Sequence, residues 1–95
     1  KNIAFVPQHL ASKPGSYVGK DPNSFLGKFV KMGFPGINPL NQLETIEHMW
    51  VHVEAVEGDD LVGSLDNDPI LSRELPLHCG STVRLTVDLI EDVLE

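Results

Sequence analysis

The run from Glu47 to Glu57 constrains the fold more than any other part of the sequence. Its residues fall into two alternating sets, Met49, Val51, Val53 and Ala55 against His48, Trp50, His52 and Glu54. Successive side chains of a strand point to opposite faces, so a period of two with β-branched residues is typical of a half-buried β-strand. We therefore predict a strand here. Its pattern leaves open whether the face with Trp50 points into the core, the commoner place for a tryptophan, or outward to a partner.

The segments that follow this run also read as strands. Gly58-Asp59-Asp60 is a tight connection, and the apolar run from Leu61 to Leu65 then returns beside the first strand as a hairpin. A turn follows at Asp66–Pro69, and 82–87 alternates again with its apolar residues inward. We predict a mainly β fold, with α+β as an alternative. It is a small antiparallel sheet curled into a barrel-like roll with at most one or two short helical turns.

The rest of the chain is less regular. Asp21 and Pro22 fit the N-cap and first position of a short helical turn. Residues 33–46 contain two prolines and two glycines, and we predict a long loop or insertion there. Three further elements are predicted: an edge strand over 3–6, a strand over 25–32 and one helical turn over 89–94.

Length and charge limit the classes of function. Ninety-five residues are enough for a single domain, which we assign to 1–95. Fourteen acidic against 7 basic residues give a formal net charge of −7, and no basic cluster is present to replace phosphate counterions. We therefore expect no nucleic-acid or membrane partner. A protein with a basic or mixed surface is the expected partner. With one cysteine and no visible signal peptide, the expected location is the cytoplasm.

The candidate site residues are polar or aromatic and lie on the first strand or in the turn after the hairpin: His48, Trp50, His52, Asp66 and Asn67. On a strand, His48 and His52 lie about 13 Å apart at about 3.3 Å per residue, too far to share one metal ion, whereas His52 and Glu54, about 6.6 Å apart, could. Asp66–Asp68 lacks the later glycine and glutamate of a calcium loop. We predict no metal site, no cofactor and no assigned catalytic residue.

Five sequence strings together resemble the bacterial family called domain of unknown function 2314: Phe29–Phe34, Glu47–Val51, Gly63-x-Leu65-x-Asn67-x-Pro69, Leu77-x-x-Gly80 and Ile90-x-Asp92. The chain departs from the family pattern at Ser81, where an aspartate is usual, and at Val93, where a tryptophan is common. The resemblance implies a compact bacterial domain without an established activity. Some relatives in this family look like accessory or immunity-type proteins, which suggests partner binding.

Three functional hypotheses follow. The first is a non-enzymatic protein-binding or accessory module that uses the face bearing Trp50. The second is a small-molecule hydrolase-like enzyme with His48 or His52 as its base, which requires a carboxylate such as Glu47 or Asp66 to orient the imidazole. The third is a structural appendage of a larger chain.

Overall fold

The protein forms one antiparallel sheet of five strands. The computed structural model describes residues 15–38, 40–69 and 77–94. The strands are β1 (Phe29–Ile37), β2 (Glu44–Glu57), β3 (Asp60–Leu65), β4 (Thr82–Thr86) and β5 (Asp92–Leu94), in the spatial order β4-β3-β2-β1-β5. Two 3₁₀ turns, at Pro22–Phe25 and Val87–Leu89, are the helical elements of the described segments.

The mainly β prediction is confirmed, and the barrel-like roll is supported only in part. β4 and β5 are the two outer strands of the sheet, and no pairing joins them in the described part of the chain. The sheet is therefore an open one. Asp21 caps the first 3₁₀ turn through a 3.0 Å bond from the Asn23 N–H to its carboxylate, and Pro22 occupies the first helical position, as predicted.

The predicted strand at Glu47–Glu57 is confirmed, and it lies at the centre of the sheet. β2 pairs with β1 on one side and with β3 on the other. The β2–β3 hairpin turns through Gly58 and Asp59, and Gly58 adopts φ +65°. A glycine with positive φ at the first central position is typical of the two-residue turns that fit the twist of a hairpin.

One detail of the predicted alternation is wrong. The register of β2 against β3 shifts by one residue between Val53, which pairs with Gly63, and Ala55, which pairs with Val62. Glu54 is thus the extra residue of a β-bulge. The bulge moves Ala55 away from the face of Val53 and brings Val56 against the core instead.

The core covers one face of the sheet. The fully buried residues of the strands alternate with exposed or half-buried ones, as in Val30 and Met32 of β1 and Val51 and Val53 of β2. Residues outside the strands complete the same cluster: Phe25, Val87, Leu89 and Ile90. Tyr17 packs edge-on against Phe25, with 6.0 Å between ring centroids. The opposite face of the sheet carries the candidate site.

The prediction of a long loop at 33–46 is wrong over most of its length. β1 continues to Ile37 and β2 begins at Glu44, so only 38–43 connect the two strands. The prediction failed here because proline lacks the N–H that a β-ladder hydrogen bond needs, so Pro35 was read as part of a loop. The Val53 N–H donates to the Lys28 carbonyl, so these two residues form a hydrogen-bonded pair at the start of the β1–β2 ladder. Hydrogen-bonded and non-hydrogen-bonded pairs alternate along an antiparallel ladder, and counting from Lys28 puts Pro35 in a non-hydrogen-bonded pair, where no N–H to β2 is needed.

The predicted helical turn over 89–94 is also wrong. Residues 92–94 form β5, which pairs with 29–31 of β1, and the 3₁₀ turn lies earlier, at Val87–Leu89. The strand predicted over 25–32 begins only at Phe29, after the 3₁₀ turn that ends at Phe25. The edge strand predicted at 3–6 lies outside the described residues, and the assignment of all 95 residues to one domain stays a prediction. No helix in the described segments is long and apolar enough to cross a membrane.

Candidate functional site

The pairing register places a set of aromatic and polar side chains on the sheet face opposite the core, here called the open face. His52 pairs with Phe29, and Trp50 pairs with Lys31. Because paired residues share a face and Val51 between them is fully buried, these side chains all point away from the core. β5 extends the same rows across the sheet, with Leu94 beside Phe29. The central residues of the open face are Phe29, Lys31, His48, Trp50, His52 and Leu94.

Trp50 lies at the centre of the open face and is half-buried there. The Lys31 ammonium nitrogen lies 5.5 Å from the centroid of the indole ring, within cation–π range. The structure therefore places Trp50 on the face opposite the core, and its contact with a partner stays a prediction. Trp50 is not part of the core cluster. Its indole ring contacts Lys31 and is partly accessible to solvent.

His52 lies flat against Phe29. The ring centroids are 4.7 Å apart at an interplanar angle of 24°. On the β3 side, the Ser64 hydroxyl donates to the Glu54 carboxylate at 2.9 Å, and His52 Nδ1 lies 3.7 Å from the same carboxylate. The stack joins β1 and β2 into one continuous aromatic surface next to Trp50.

His48 is held by a carboxylate that the sequence analysis did not identify. Its Nδ1 lies 2.7 and 2.9 Å from the two carboxylate oxygens of Glu91, in the segment between Leu89 and β5. The pairing partner of His48 in β1 is Gly33, which has no side chain that could separate the imidazole from Glu91. Glu47 cannot take this part, since neighbours on a strand point to opposite faces.

Asp66 and Asn67 have roles in the ladder. The Trp50 N–H donates to Asn67 Oδ1 at 2.8 Å, and the Asp66 N–H donates to the Trp50 carbonyl at 2.9 Å. The two bonds continue the β2–β3 ladder beyond the end of β3. Asp68 binds the loop that contains Cys79, because its carboxylate accepts the Cys79 N–H at 2.9 Å. Asn67 therefore positions Trp50 through the backbone, while the exposed Asp66 adds negative charge at the edge of the open face.

The far corner of the sheet is occupied by an ion-pair cluster. Arg84 of β4 donates to Glu57 and, at 2.8 Å, to Asp60. The hydrogen bond to Glu57, followed by that to Asp60, raises the pKa of the Arg84 guanidinium above its usual value. Arg84 is thereby engaged within its own sheet and ties β4 to the β2–β3 hairpin.

A metal-binding cluster of three or more His, Cys, Asp or Glu side chains does not occur within 15–38, 40–69 and 77–94. His48 pairs with Glu91 and His52 stacks on Phe29, so the two histidines have different neighbours on the same face. Cys79 is exposed and free, in a loop that follows residue 77. The predicted absence of a metal and of a cofactor stays a prediction.

Sequence reasoning found three of the six central residues of the open face, His48, Trp50 and His52. Phe29 and Lys31 were placed in a strand but not in the site, because their position depends on the register of β1 against β2. Leu94 was missed for a different reason, since the segment that carries it was predicted as helix. Glu91, the partner of His48, is 43 positions away in sequence, and no local pattern points to it.

The fold and site together define a small antiparallel-sheet domain with a core on one face and an aromatic, histidine-bearing surface on the other. Residues 24–94 match the model of a family described as "Uncharacterized protein conserved in bacteria (DUF2314)". The chain belongs to this family, as the sequence strings indicated. No curated protein and no solved structure matches the chain.

Proposed function

We propose that the protein is a non-enzymatic protein-binding module and that the open face is its binding surface. The observation that carries this proposal is Trp50, which is half-buried on the face opposite the core. Phe29 and His52 stack beside it, and Leu94 is 57% exposed in the same row. Aromatic residues dominate the energetics of protein interfaces because they bury much area for few rotatable bonds.

The charge of the chain supports a partner with a basic surface. From 32 to 72 the sequence contains no Lys or Arg, whereas eight acids occur there: Glu44, Glu47, Glu54, Glu57, Asp59, Asp60, Asp66 and Asp68. The exposed Asp66 adds negative charge beside the aromatic centre of the open face, in line with the usual anatomy of an apolar interface core and a polar rim. We propose a cytoplasmic partner whose apolar patch is bordered by Lys and Arg.

The proposal is tested by affinity capture followed by binding of the purified partner. Leu94→Ser removes an exposed apolar side chain from the open face, and Trp50→Ala removes its centre. Leu26→Ser is the matched control, since Leu26 is 53% exposed but precedes β1 and belongs to none of the five strands that form this face. We expect both open-face variants to weaken the affinity about tenfold or more, as hot-spot residues do. Unchanged affinity in folded Leu94→Ser and Trp50→Ala would contradict the proposal.

A hydrolase-like enzyme with His48 as its base is the second candidate function. The observation in its favour is the His48–Glu91 pair, because a carboxylate on Nδ1 orients an imidazole so that Nε2 can exchange a proton. Turnover of a panel of activated esters by wild type and His48→Ala tests it. Turnover that His48→Ala abolishes would support this candidate, and equal rates in the two proteins would remove it.

A further inference from the structure

We infer that the tip of the β1–β2 hairpin is a second contact surface, which inserts into an apolar cleft of a partner protein bordered by basic groups. The tip comprises residues 38 and 40–43 and the strand ends beneath them. The inference stands on observations separate from the open face, and it survives if the open face binds nothing.

The hairpin extends past the rest of the sheet. β3 pairs with β2 only from Val51 onward, and β5 pairs with β1 only at 29–31. The pairing of β1 with β2 continues to Ile37 and Glu44. The end of this two-stranded ribbon therefore has no third strand beside it in the described part of the chain. A two-stranded ribbon of this kind can enter a cleft that a flat sheet face cannot.

The end of this ribbon is apolar. Leu40 is 93% exposed and Leu43 is 63% exposed, three positions apart in one turn. Beneath them, Pro35 pairs with Ile46 on the same side of the ribbon as Trp50, and both are half-buried. Single exposed leucines are common on protein surfaces, but two within four residues at the end of a projecting ribbon make this tip a candidate contact surface.

The turn holds its leucines outward. The Asn38 N–H donates to the Leu43 carbonyl at 2.9 Å, and the Gln42 N–H donates to the Asn38 carbonyl at 2.8 Å. Side chains add two more bonds, from the Leu40 N–H to Asn38 Oδ1 and from the Leu43 N–H to Asn41 Oδ1. A loop ordered before binding loses less entropy on binding, which favours recognition by this turn.

The charge on the hairpin favours a basic partner protein over a second copy of this chain. Between Met32 and Trp50 the sequence has no Lys or Arg, and the exposed Glu44 lies at the end of β2 next to the turn. A second copy of this chain, itself at −7, would meet the hairpin with like charge. A different protein with Lys or Arg at the rim of an apolar cleft is complementary in both charge and hydrophobicity.

The test is site-specific photo-crosslinking in the encoding bacterium. A photo-reactive amino acid replaces Leu40 in one strain and Leu26, as the control, in another. We expect a crosslink to a different protein from position 40 and none from position 26, with the linked peptide lying beside Lys or Arg. No adduct at position 40, equal adducts at both positions, or a crosslinked dimer of this chain would overturn the inference.

Binding of the purified crosslinked protein gives the second measurement. The double variant Leu40→Ser/Leu43→Ser changes only exposed side chains and is compared with Val18→Ser, whose side chain is also 63% exposed but lies far from the hairpin in sequence. We expect the double variant to weaken the affinity about tenfold or more and the control to leave it unchanged. Equal affinity of wild type and folded double variant would overturn the inference. Failure of the open-face proposal gives a different result, namely unchanged affinity in Leu94→Ser.

Discussion

Gly63 is the residue whose identity the backbone restricts most directly. A Cβ built at this position would lie 2.1 Å from the His52 carbonyl oxygen and 2.9 Å from its carbonyl carbon. Backbone atoms cannot move aside as a flexible side chain can. The close approach occurs beside the bulge at Glu54, and it explains a glycine in the middle of a strand, where glycine is otherwise unfavourable.

Replacing Gly63 should therefore cost more stability than replacing a glycine in open space. We expect Gly63→Ala to lower the free energy of unfolding by about 3 kcal/mol or more, the upper range for overpacked sites. Gly58→Ala is the control, because nothing lies within 4 Å of its added Cβ and only its φ of +65° opposes a side chain. That strain is worth about 1–2 kcal/mol. Urea unfolding that gives Gly63→Ala the smaller loss would contradict this account.

Asn67 was a candidate for ligand binding. In the structure its side-chain oxygen accepts a hydrogen bond from the Trp50 N–H. We expect Asn67→Ala to destabilise the protein by about 1–2 kcal/mol, because a part-buried N–H loses its acceptor. Asn67→Asp keeps an oxygen in place and should retain most of the stability. Chemical denaturation of both variants measures the difference. Equal losses in the two variants would show that the acceptor is not what matters.

At the scale of elements, prediction from sequence succeeded where a strand carries its own signal. β2 alternates over its central residues, and the β2–β3 turn contains the glycine that its geometry requires. β1 past Gly33 and β5 carry no such signal. Pro35 is tolerated because the β1–β2 ladder needs no N–H at that position. β5 is a strand because it pairs with β1. The bulge at Glu54 likewise depends on the register of two strands and is invisible in either one.

The same order of strands predicts unequal protection of backbone amides. β2 lies between two partners, whereas β5 is three residues long and pairs with β1 alone among the described strands. We expect the amide of Val53, which donates to the Lys28 carbonyl, to exchange only by global unfolding. The amides of β5 should exchange through local fraying. Hydrogen exchange that finds β5 as protected as Val53 would show a more tightly held edge than this topology implies.

At the scale of the whole molecule, acidity and the distribution of apolar surface are the basis of the proposed partner with a basic rim. The chain carries −7, and its described apolar exposure includes Leu94 on the open face and Leu40 at the hairpin tip. If the partner has a basic rim, raising the salt concentration should weaken binding mainly by slowing association. Titrations at low and high salt check this. Affinity that rises with salt would argue for a purely apolar contact.

The central claim is that the open face is covered by a partner in the cell. Oxidative footprinting of Trp50 tests it most directly, by comparing its labelling rate in the purified protein with the rate in fresh extract of the encoding bacterium. Tyr17, which packs on the core side against Phe25, serves as the internal control. We predict that the labelling of Trp50 falls severalfold in the extract while that of Tyr17 is unchanged. Equal labelling of Trp50 in both samples would contradict the claim.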